Sequence, residues 1–199
     1  MNLGLLLQRF HQIMFKAIET GIQGLIEIRP SIYSDNRGWF MESFRKTLFN
    51  EIGIKVDFDQ DNLSFSNKGV LRGLHFQRSP FAQAKLVWVL QGSVIDAVVD
   101  LRQSSPTFGK SFKIHLDSRE KNMLFIPEGF AHGFYALEDT LFQYKCSSEY
   151  KSGSESGIHW NDPMLQIDWG TTSPIISEKD SVLPTLQQLL DRGELMRQA

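Results

Sequence analysis

Alternation of apolar and polar side chains runs through the middle of the chain and predicts β-strands. Residues 111–116 alternate cleanly, and residues 95–101 place apolar side chains on one face opposite Asp96 and Asp100. This spacing is typical of strands with one buried face, so we expect both segments to be half-buried. Further short strand-like runs lie between turn signals at residues 21–28, 69–77, 85–90, 123–126 and 140–146.

Helical spacing of apolar residues is confined to two short stretches. Residues 44–52 show it before Gly53, and residues 184–190 show it before Gly193. Many short strands with few helices favour an all-β sandwich or barrel in which the helices are peripheral.

Composition limits the classes of protein to which the chain can belong. A chain of 199 residues with 41% hydrophobic residues is of the size of one domain with one core. A net charge of −2 provides no basic field for a nucleic acid. The single cysteine, Cys146, excludes an intramolecular disulfide and suits a reducing compartment, so we expect a cytoplasmic protein.

The N-terminal residues carry a short apolar run, residues 3–7, followed by Arg9 and His11. The run is too short for an export signal, and no apolar stretch approaches the ~20 residues of a membrane-spanning helix. We expect an amphipathic arm or short helix, with residues 1–14 as an extension and residues 15–199 as one domain that ends in a helical segment.

Polar residues share strand faces with apolar residues at several positions. Lys85 lies on the face of Val87 and Val89, and Tyr144 lies on the face of Phe142 and Cys146. If these faces point inward, an ammonium group and a phenol enter the interior. The register of residues 85–90 is open, because a slip of one residue places Lys85 in solvent and Trp88 inside.

Two histidines occupy comparable positions. His75 lies on one side of its strand with Leu71, Gly73 and Gln77, and His132 shares a face with Phe134. Four groups that handle protons or form hydrogen bonds are therefore candidates to converge in the interior. A single histidine on a strand is more often structural than catalytic, and a tyrosine beside phenylalanine is usually part of a core.

Asp180 has a structural interpretation of its own. Ser177 and Asp180 are spaced as in a helix capping box, in which the first side chain accepts a hydrogen bond from the backbone of the second. Taken alone, this pattern favours a helix N-terminus over a catalytic carboxylate.

These residues fall in ordered segments that together resemble the dTDP-4-dehydrorhamnose 3,5-epimerase family from about residue 15 to residue 185. The two most specific strings are Arg-Gly-Leu-His-Phe-Gln at 72–77 and Ile-Pro-Glu-Gly-Phe-Ala-His-Gly-Phe at 126–134. The other matching segments are residues 35–38 with Glu42, 60–62, 69–71, 85–87, 99–102, 105–109, 144–145, 160–163 and 177–180.

The resemblance implies a cupin-type jelly roll, a homodimer and a reaction that needs neither a cofactor nor a metal. It implies that His75 is the catalytic base and Asp180 its paired carboxylate, that Lys85 lies near the C4 oxygen of the sugar, and that Tyr144 is the general acid. The implied substrate-binding residues are Arg72, His132, Gln60, Asn62 and Tyr150, with Arg37 and Glu42 as nucleotide contacts from the partner subunit. Aromatic candidates for stacking on the base are Tyr33, Trp39, Phe40 and Tyr150.

The implied chemistry requires these types of residue. A ketone at C4 makes the protons on C3 and C5 removable through an enolate, and an imidazole with a reference pKa of about 6.5 is a suitable base. A nearby ammonium stabilises the enolate oxygen, and inversion requires a second group that returns the proton to the opposite face. The predicted reaction converts dTDP-4-dehydro-6-deoxy-D-glucose to dTDP-4-dehydro-L-rhamnose by inversion at C3 and C5.

Three alternatives remain at this stage. The enzyme could invert C3 alone, or C5 alone, on a related 4-keto-6-deoxy sugar nucleotide. A metal-dependent cupin would use His75 and His132, but it usually needs a His-x-His pair, and Gln77 stands where the second histidine would be. A non-catalytic sugar-nucleotide binding protein would have lost the base or the acid, and both are present.

Overall fold

The computed structural model describes residues 14–195, which form two stacked antiparallel sheets with short helices at the periphery. The strands are β1 (Phe15–Glu19), β2 (Ile26–Pro30), β3 (Tyr33–Asp35), β4 (Gly38–Phe40), β5 (Gln60–Ser66), β6 (Leu71–Gln77), β7 (Lys85–Gln91), β8 (Ser93–Asp100), β9 (Ser111–Asp117), β10 (Met123–Ile126), β11 (Phe130–Ala136), β12 (Thr140–Cys146) and β13 (Glu155–Gly157). The helices are α1 (Lys46–Glu51), α2 (Glu178–Ser181) and α3 (Leu186–Asp191), with a 3₁₀ turn at Ser152–Ser154.

The chain passes repeatedly from one sheet to the other, as in a jelly roll. The six-stranded sheet has the order β1-β2-β10-β7-β12-β5, and the five-stranded sheet has the order β13-β6-β11-β8-β9. β3 and β4 form a separate hairpin. The predicted all-β jelly-roll sandwich with a few short peripheral helices is therefore confirmed.

The core lies in three layers. Between the sheets, Val87 and Phe142 of the six-stranded sheet pack with Val98 and Phe134 of the five-stranded sheet. The outer face of the five-stranded sheet is covered by the C-terminal segment, which contributes Trp169, Leu186 and Leu189. The outer face of the six-stranded sheet is partly covered around α1, where Phe49 and Ile54 pack with Leu86 and Trp88.

These layers correct one prediction. β9 is half-buried as expected, but β8 is buried on both faces, and Asp96 and Asp100 are both 0% exposed. The face that carries Ile95 and Ala97 packs under the C-terminal segment, so the aspartates opposite it point into the space between the sheets. Periodicity indicated the two faces correctly but could not indicate that a second layer covers the apolar one.

Element boundaries follow local chemistry. The strand predicted over 21–28 begins only at Ile26, because Gly21 and Gly24 adopt positive φ in the preceding turns. α3 starts with a capping box in which Thr185 accepts from the Gln188 N–H and the Gln188 side chain accepts from the Thr185 N–H. Of the predicted N-terminal extension, residues 1–14, residues 1–13 lie outside the described residues. Within residues 14–195, no helix is long and apolar enough to cross a membrane.

Candidate active site

A bulge in β6 places two functional side chains on the same face. His75 pairs with His132 of β11, whereas Arg72 pairs with Phe134, so β6 uses three steps where β11 uses two. Arg72 and His75 therefore both line one cavity, while Leu74 and Phe76 pack in the layer under the C-terminal segment. The strict alternation predicted for residues 71–77 is wrong at this point.

The bulge depends on two glycines that face each other across the strands. A Cβ atom at Gly73 would lie 2.6 Å from the Gly133 Cα atom, and one at Gly133 would lie 2.6 Å from the Arg72 carbonyl oxygen. Gly73 also has a φ of 113°, a conformation that other residues rarely adopt. Glycine at both positions thus allows the close backbone approach that brings His75 beside His132.

His75 and Asp180 form a hydrogen-bonded pair at one wall of the cavity. His75 Nε2 lies 2.7 Å from Asp180 Oδ1, and Asp180 Oδ2 accepts from the Gly73 N–H at 3.3 Å. Burial raises the pKa of Asp180, but the hydrogen bond to His75 and the electrostatic interaction with that ring prevail and lower the pKa below its usual value. The carboxylate therefore accepts the Nε2 proton, which leaves the Nδ1 lone pair as the basic site of the ring.

Asp180 fulfils the structural interpretation as well. The Ser177 hydroxyl accepts a hydrogen bond from the Asp180 N–H at the start of α2, as the capping pattern predicted. Because the backbone of Asp180 is fixed by this cap, its carboxylate is held in place for His75.

Lys85 projects into the cavity, which resolves the register of β7. Val87 and Val89 share its face and pack between the sheets, whereas Trp88 packs on the outer face with Leu86. Burial lowers the pKa of the Lys85 ammonium, and the nearby Cys146, Asp96 and Glu155 groups oppose that shift. Trp88 is buried too, but on the side away from the cavity.

Tyr144 faces the cavity from the opposite sheet. It lies on β12, where its neighbours on the same face are Phe142 and Cys146. Burial raises the pKa of its phenol above the usual value, so the hydroxyl keeps its proton at neutral pH. A protonated phenol is thus set across the interior from the imidazole of His75.

His132 forms a second histidine–aspartate pair. His132 Nε2 lies 2.7 Å from Asp96 Oδ2, and the imidazole lines the same cavity as His75. Asp96 is fully buried, and its Oδ1 atom has no hydrogen-bond partner among the described residues. Burial raises the pKa of Asp96, while the positive charges of His132 and Lys85 oppose the shift.

β5 forms the polar wall of the cavity. Its inward residues are Gln60, Asn62 and Ser64, while Leu63 and Phe65 point outward and are 60% and 54% exposed. The Arg72 guanidinium is anchored against this strand: its Nε donates to Ser66 Oγ at 2.9 Å and its Nη2 to the Phe65 carbonyl at 3.0 Å.

The space enclosed by these groups consists of two adjoining cavities of about 540 and about 330 Å³. The larger is lined by Arg72, His132 and Ser64, and the smaller by Gln60, Asn62 and Tyr150. Both are lined by His75, Lys85 and Tyr144, so these three side chains stand where the cavities meet.

An ion-pair cluster flanks the smaller cavity. Glu155 accepts hydrogen bonds from Tyr150 Oη at 2.7 Å and from Lys179 Nζ at 2.6 Å. The Tyr150 N–H in turn donates to Gln60 Oε1 at 2.7 Å. Tyr150 is thereby tied to the cavity wall, although more than half of its surface is exposed.

Arg37 and Glu42 are not brought to these cavities within the described chain. Arg37 is paired with Asp35 on the β3–β4 hairpin, where it lines a separate surface depression with Tyr33, Trp39 and Phe40. Glu42 is paired with Arg45, just before α1.

Four residues at the site were not predicted as site residues from the sequence. They are Ser64, Asp96, Glu155 and Lys179. Asp96 carried the clearest signal, because a carboxylate in a strand as apolar as β8 needs a partner inside the protein. Among residues 14–195, no group of three or more His, Cys, Asp or Glu side chains is placed to hold a metal ion.

Fold and site together define a jelly-roll protein with an imidazole, a carboxylate, an ammonium and a phenol around one interior cavity. The model of the dTDP-4-dehydrorhamnose 3,5-epimerase family matches residues 19–188. The chain belongs to this family.

A similar protein and a similar crystal structure support the assignment to this family. The chain is 48% identical over 165 residues to the dTDP-4-dehydrorhamnose 3,5-epimerase of Shigella flexneri, which covers 82% of this chain and 91% of that protein. A crystal structure of the Legionella pneumophila dTDP-6-deoxy-D-glucose-3,5-epimerase in complex with dTDP-4-keto-L-rhamnose is similar with a TM-score of 0.87 and 46% identity, over 93% of this chain and 99% of that one.

A relative with narrower chemistry is also similar. The structure of a 3′-monoepimerase from Streptomyces bikiniensis in complex with dTDP-quinovose has a TM-score of 0.83 and 34% identity, over 88% of this chain and 90% of that one. The shared fold therefore occurs with more than one outcome at the sugar ring.

Proposed function

We propose that the chain is a cofactor-independent epimerase that converts dTDP-4-dehydro-6-deoxy-D-glucose to dTDP-4-dehydro-L-rhamnose in the cytoplasm. The observation that carries the proposal is the 2.7 Å His75–Asp180 pair, which shares its cavity with Lys85 and Tyr144. The family assignment and the dTDP-sugar complex of the Legionella relative support the substrate.

The first step is removal of a proton next to the ketone. His75 Nδ1 takes the proton from C3 or C5, the electrons of the C–H bond form the carbon–carbon double bond of an enolate, and negative charge develops on the C4 oxygen. Asp180 stabilises the imidazolium because its carboxylate is bonded to Nε2. Lys85 stabilises the enolate oxygen, an effect whose loss typically costs about 3–4 kcal/mol in the transition state.

The second step returns a proton to the other face of the ring. His75 belongs to the five-stranded sheet and Tyr144 to the six-stranded sheet, so a sugar bound between the sheets has one group on each side. Tyr144 donates its phenolic proton to the carbon, and the double bond of the enolate reverts to the ketone. Exchange with solvent then removes the proton from His75 and restores the phenol of Tyr144. Inversion follows because removal and return occur from opposite sides.

The diphosphate of the nucleotide requires cations or oriented donors. Arg72 supplies a planar guanidinium that is already anchored to β5, and this preorganisation suits an anionic group. Gln60, Asn62 and Tyr150 are assigned to the remaining polar contacts of the substrate.

The decisive experiment is epimerisation in heavy water. Incubation with the 4-keto-6-deoxyglucose nucleotide should introduce deuterium at both C3 and C5, as followed by NMR. Label at neither carbon contradicts the proposal. Activity that survives thorough chelation eliminates a metal-dependent reaction.

The alternative outcome is inversion at a single carbon. Its support is the similarity to the Streptomyces bikiniensis 3′-monoepimerase. Deuterium at C3 alone, with the configuration at C5 retained, would establish this alternative in place of the double inversion.

A homodimer is part of the proposal. Arg37 and Glu42, implied as nucleotide contacts, lie outside the cavities of their own chain, and apolar side chains are exposed on the same molecule at Trp39, Phe40, Leu63 and Phe65. A second copy that covers these side chains is expected to supply Arg37 to the site of its partner.

Subunit complementation tests the dimer. His75→Ala and Arg37→Ala chains, each nearly inactive alone, should regain activity when unfolded and refolded together, because one mixed-dimer site then has both residues intact. Light scattering should give about twice the chain mass of 22.8 kDa. A monomer in solution, or activity equal to the sum of the separate variants, contradicts cross-subunit sharing.

A further inference from the structure

Lys85 stands out in the cavity as a half-buried lysine without an ion pair. Within residues 14–195, no carboxylate lies within salt-bridge distance of its Nζ atom, and no hydrogen bond fixes it. Burial alone favours the neutral amine, as the lowered pKa of Lys85 reflects. The proposed function nevertheless requires the ammonium form, because only a cation balances the charge of an enolate oxygen.

The groups that face Lys85 come from every element around the cavity. They are Arg72 and His75 of β6, Asp96 of β8, His132 of β11, Tyr144 and Cys146 of β12, Glu155 of β13, and Lys179 and Asp180 of α2. Tyr144 and Cys146 have pKa values raised by burial and are neutral at working pH. The three carboxyl groups are the remaining sources of negative charge in this set.

Two of the three carboxyl groups are already engaged by other groups. Asp180 has both carboxylate oxygens bonded, one to the His75 ring and one to the Gly73 N–H, and the charge of Glu155 is paired through its Oε2 atom, which accepts from the Tyr150 hydroxyl and the Lys179 ammonium. Asp96 is bonded only to His132, and its Oδ1 atom is buried without a partner in the described part of the chain. Asp96 is therefore the carboxyl group whose charge is least compensated by others.

We propose that Asp96 is a positioning residue that keeps Lys85 protonated by serving as its buried counter-charge, in addition to orienting His132. The inference rests on the proposed function for its catalytic meaning, but not for its electrostatics. Lys85 lines the same cavity as His132, the imidazole that holds Asp96 Oδ2, and Asp96 and Lys85 each act on the ionisation of the other. Their net charge is close to zero, which makes the burial of both groups tolerable.

Asp96→Asn tests the proposal with a side chain of nearly the same shape. Loss of an opposing charge should lower the pH at which Lys85 loses its proton by about one to three pH units. The alkaline limb of the kcat profile should move to lower pH by the same amount, with KM for the nucleotide sugar little changed because Asp96 lines neither of the two cavities. Asp100→Asn is the matched control, since Asp100 lies on the same face of β8 and is also fully buried, but is bonded to Arg102, Ser105 and Thr107.

Lys85 can also be titrated directly. Reductive methylation with ¹³C gives each lysine an NMR signal that follows its charge, and the Lys85 signal is identified by its absence in Lys85→Arg. This measurement needs no turnover, so it separates the proposal from the proposed function: an inactive wild-type chain contradicts the function, whereas an unshifted Lys85 titration in Asp96→Asn overturns the role of Asp96.

Two further outcomes decide the case. If Asp96→Asn and His132→Gln reduce kcat equally and neither moves the alkaline limb, Asp96 acts through His132 alone and the proposal fails. If Asp96→Asn does not fold, the reciprocal experiment uses Lys85→Met, in which the Asp96 carboxyl, followed by ¹³C NMR, should titrate at a higher pH than in the wild type. An unchanged Asp96 titration overturns the proposal.

Discussion

The two histidine–aspartate pairs of the cavity share a geometry but differ in their surroundings. Each joins a Nε2 atom to a carboxylate oxygen at 2.7 Å, and His75 and His132 are directly paired across β6 and β11. The His75 side chain is 30% exposed and its aspartate has both oxygens bonded, whereas the His132 side chain is 8% exposed and its aspartate has one oxygen bonded.

The different surroundings of the two pairs give their carboxyl groups different pKa shifts. Burial opposes the ionisation of Asp180, but its hydrogen bonds lower its pKa, so the carboxylate stays ionised beside His75, as the proposed role of this pair requires. The pKa of Asp96 is raised by burial, so its ionisation depends on the cations beside it. The environments of the two pairs shift the pKa values of their carboxyl groups in opposite directions. Such pairs are suited to different tasks, here the proposed proton transfer at His75 and the proposed charge balance at Lys85.

Removal of the His75 imidazole should have the largest effect on activity. His75→Ala is expected to lower kcat by about 10³-fold or more and to abolish deuterium exchange at C3 and C5, because the base is lost. His132→Ala should retain measurable exchange, and His115→Ala, an exposed histidine on β9, should behave as the wild type. Wild-type turnover by His75→Ala refutes the mechanism.

Removal of the phenol should be somewhat less severe. Tyr144→Phe is expected to reduce product formation by about 10²-fold, because the proton no longer returns to the opposite face. Exchange without inversion should persist, and binding of dTDP, measured by calorimetry, should be nearly unchanged. If binding and turnover fall together, Tyr144 contributes to substrate affinity instead.

Asp180→Asn should weaken the base while the protein remains folded. A fall in kcat of about 10- to 10²-fold is expected, since the amide no longer favours the reactive tautomer or stabilises the imidazolium. The Asp180 N–H still donates to Ser177, so thermal unfolding should shift little. A large loss of stability would mean that the carboxylate is mainly structural.

Asp100→Asn should have the smallest effect on activity and a clear effect on stability. Burial opposes ionisation, but hydrogen bonds from Arg102, Ser105 and Thr107 hold the pKa of Asp100 at about 2. Because this value is below that of the unfolded chain, the carboxylate stabilises the fold fully above about pH 4 and loses the effect as the pH falls toward 2. Urea unfolding at pH 7 should show a loss of about 1–3 kcal/mol, and the difference between variant and wild type should shrink near pH 2.5.

Much of the fold was predictable because the alternation of apolar and polar residues within a strand indicates which face is buried. β7, β10 and β12 lie where the strand-like runs predicted them, the helical stretch at 44–52 contains α1, and the stretch at 184–190 overlaps α3, which ends one residue later. β5 was missed because its polarity is inverted: Gln60 and Asn62 point inward while Leu63 and Phe65 are exposed, so its pattern resembles a loop.

The site was less predictable from local patterns. His75 and Asp180 are separated by 105 positions, and no spacing rule indicates that a helix cap and a bulged strand meet. The family resemblance supplied that pairing. Asp96 was assigned to a solvent-facing side, because the sequence does not reveal that the C-terminal segment covers the opposite face of β8.

β5 has the cavity on one side and exposed apolar side chains on the other, and Arg72 is attached to its backbone at the Phe65 carbonyl. A partner that packs against the outer face of β5 therefore contacts the same strand that holds Arg72, the residue proposed to bind the diphosphate, on the inner face. In the proposed dimer, a substitution that alters the outer surface of β5 is therefore expected to change the affinity for the nucleotide together with the assembly.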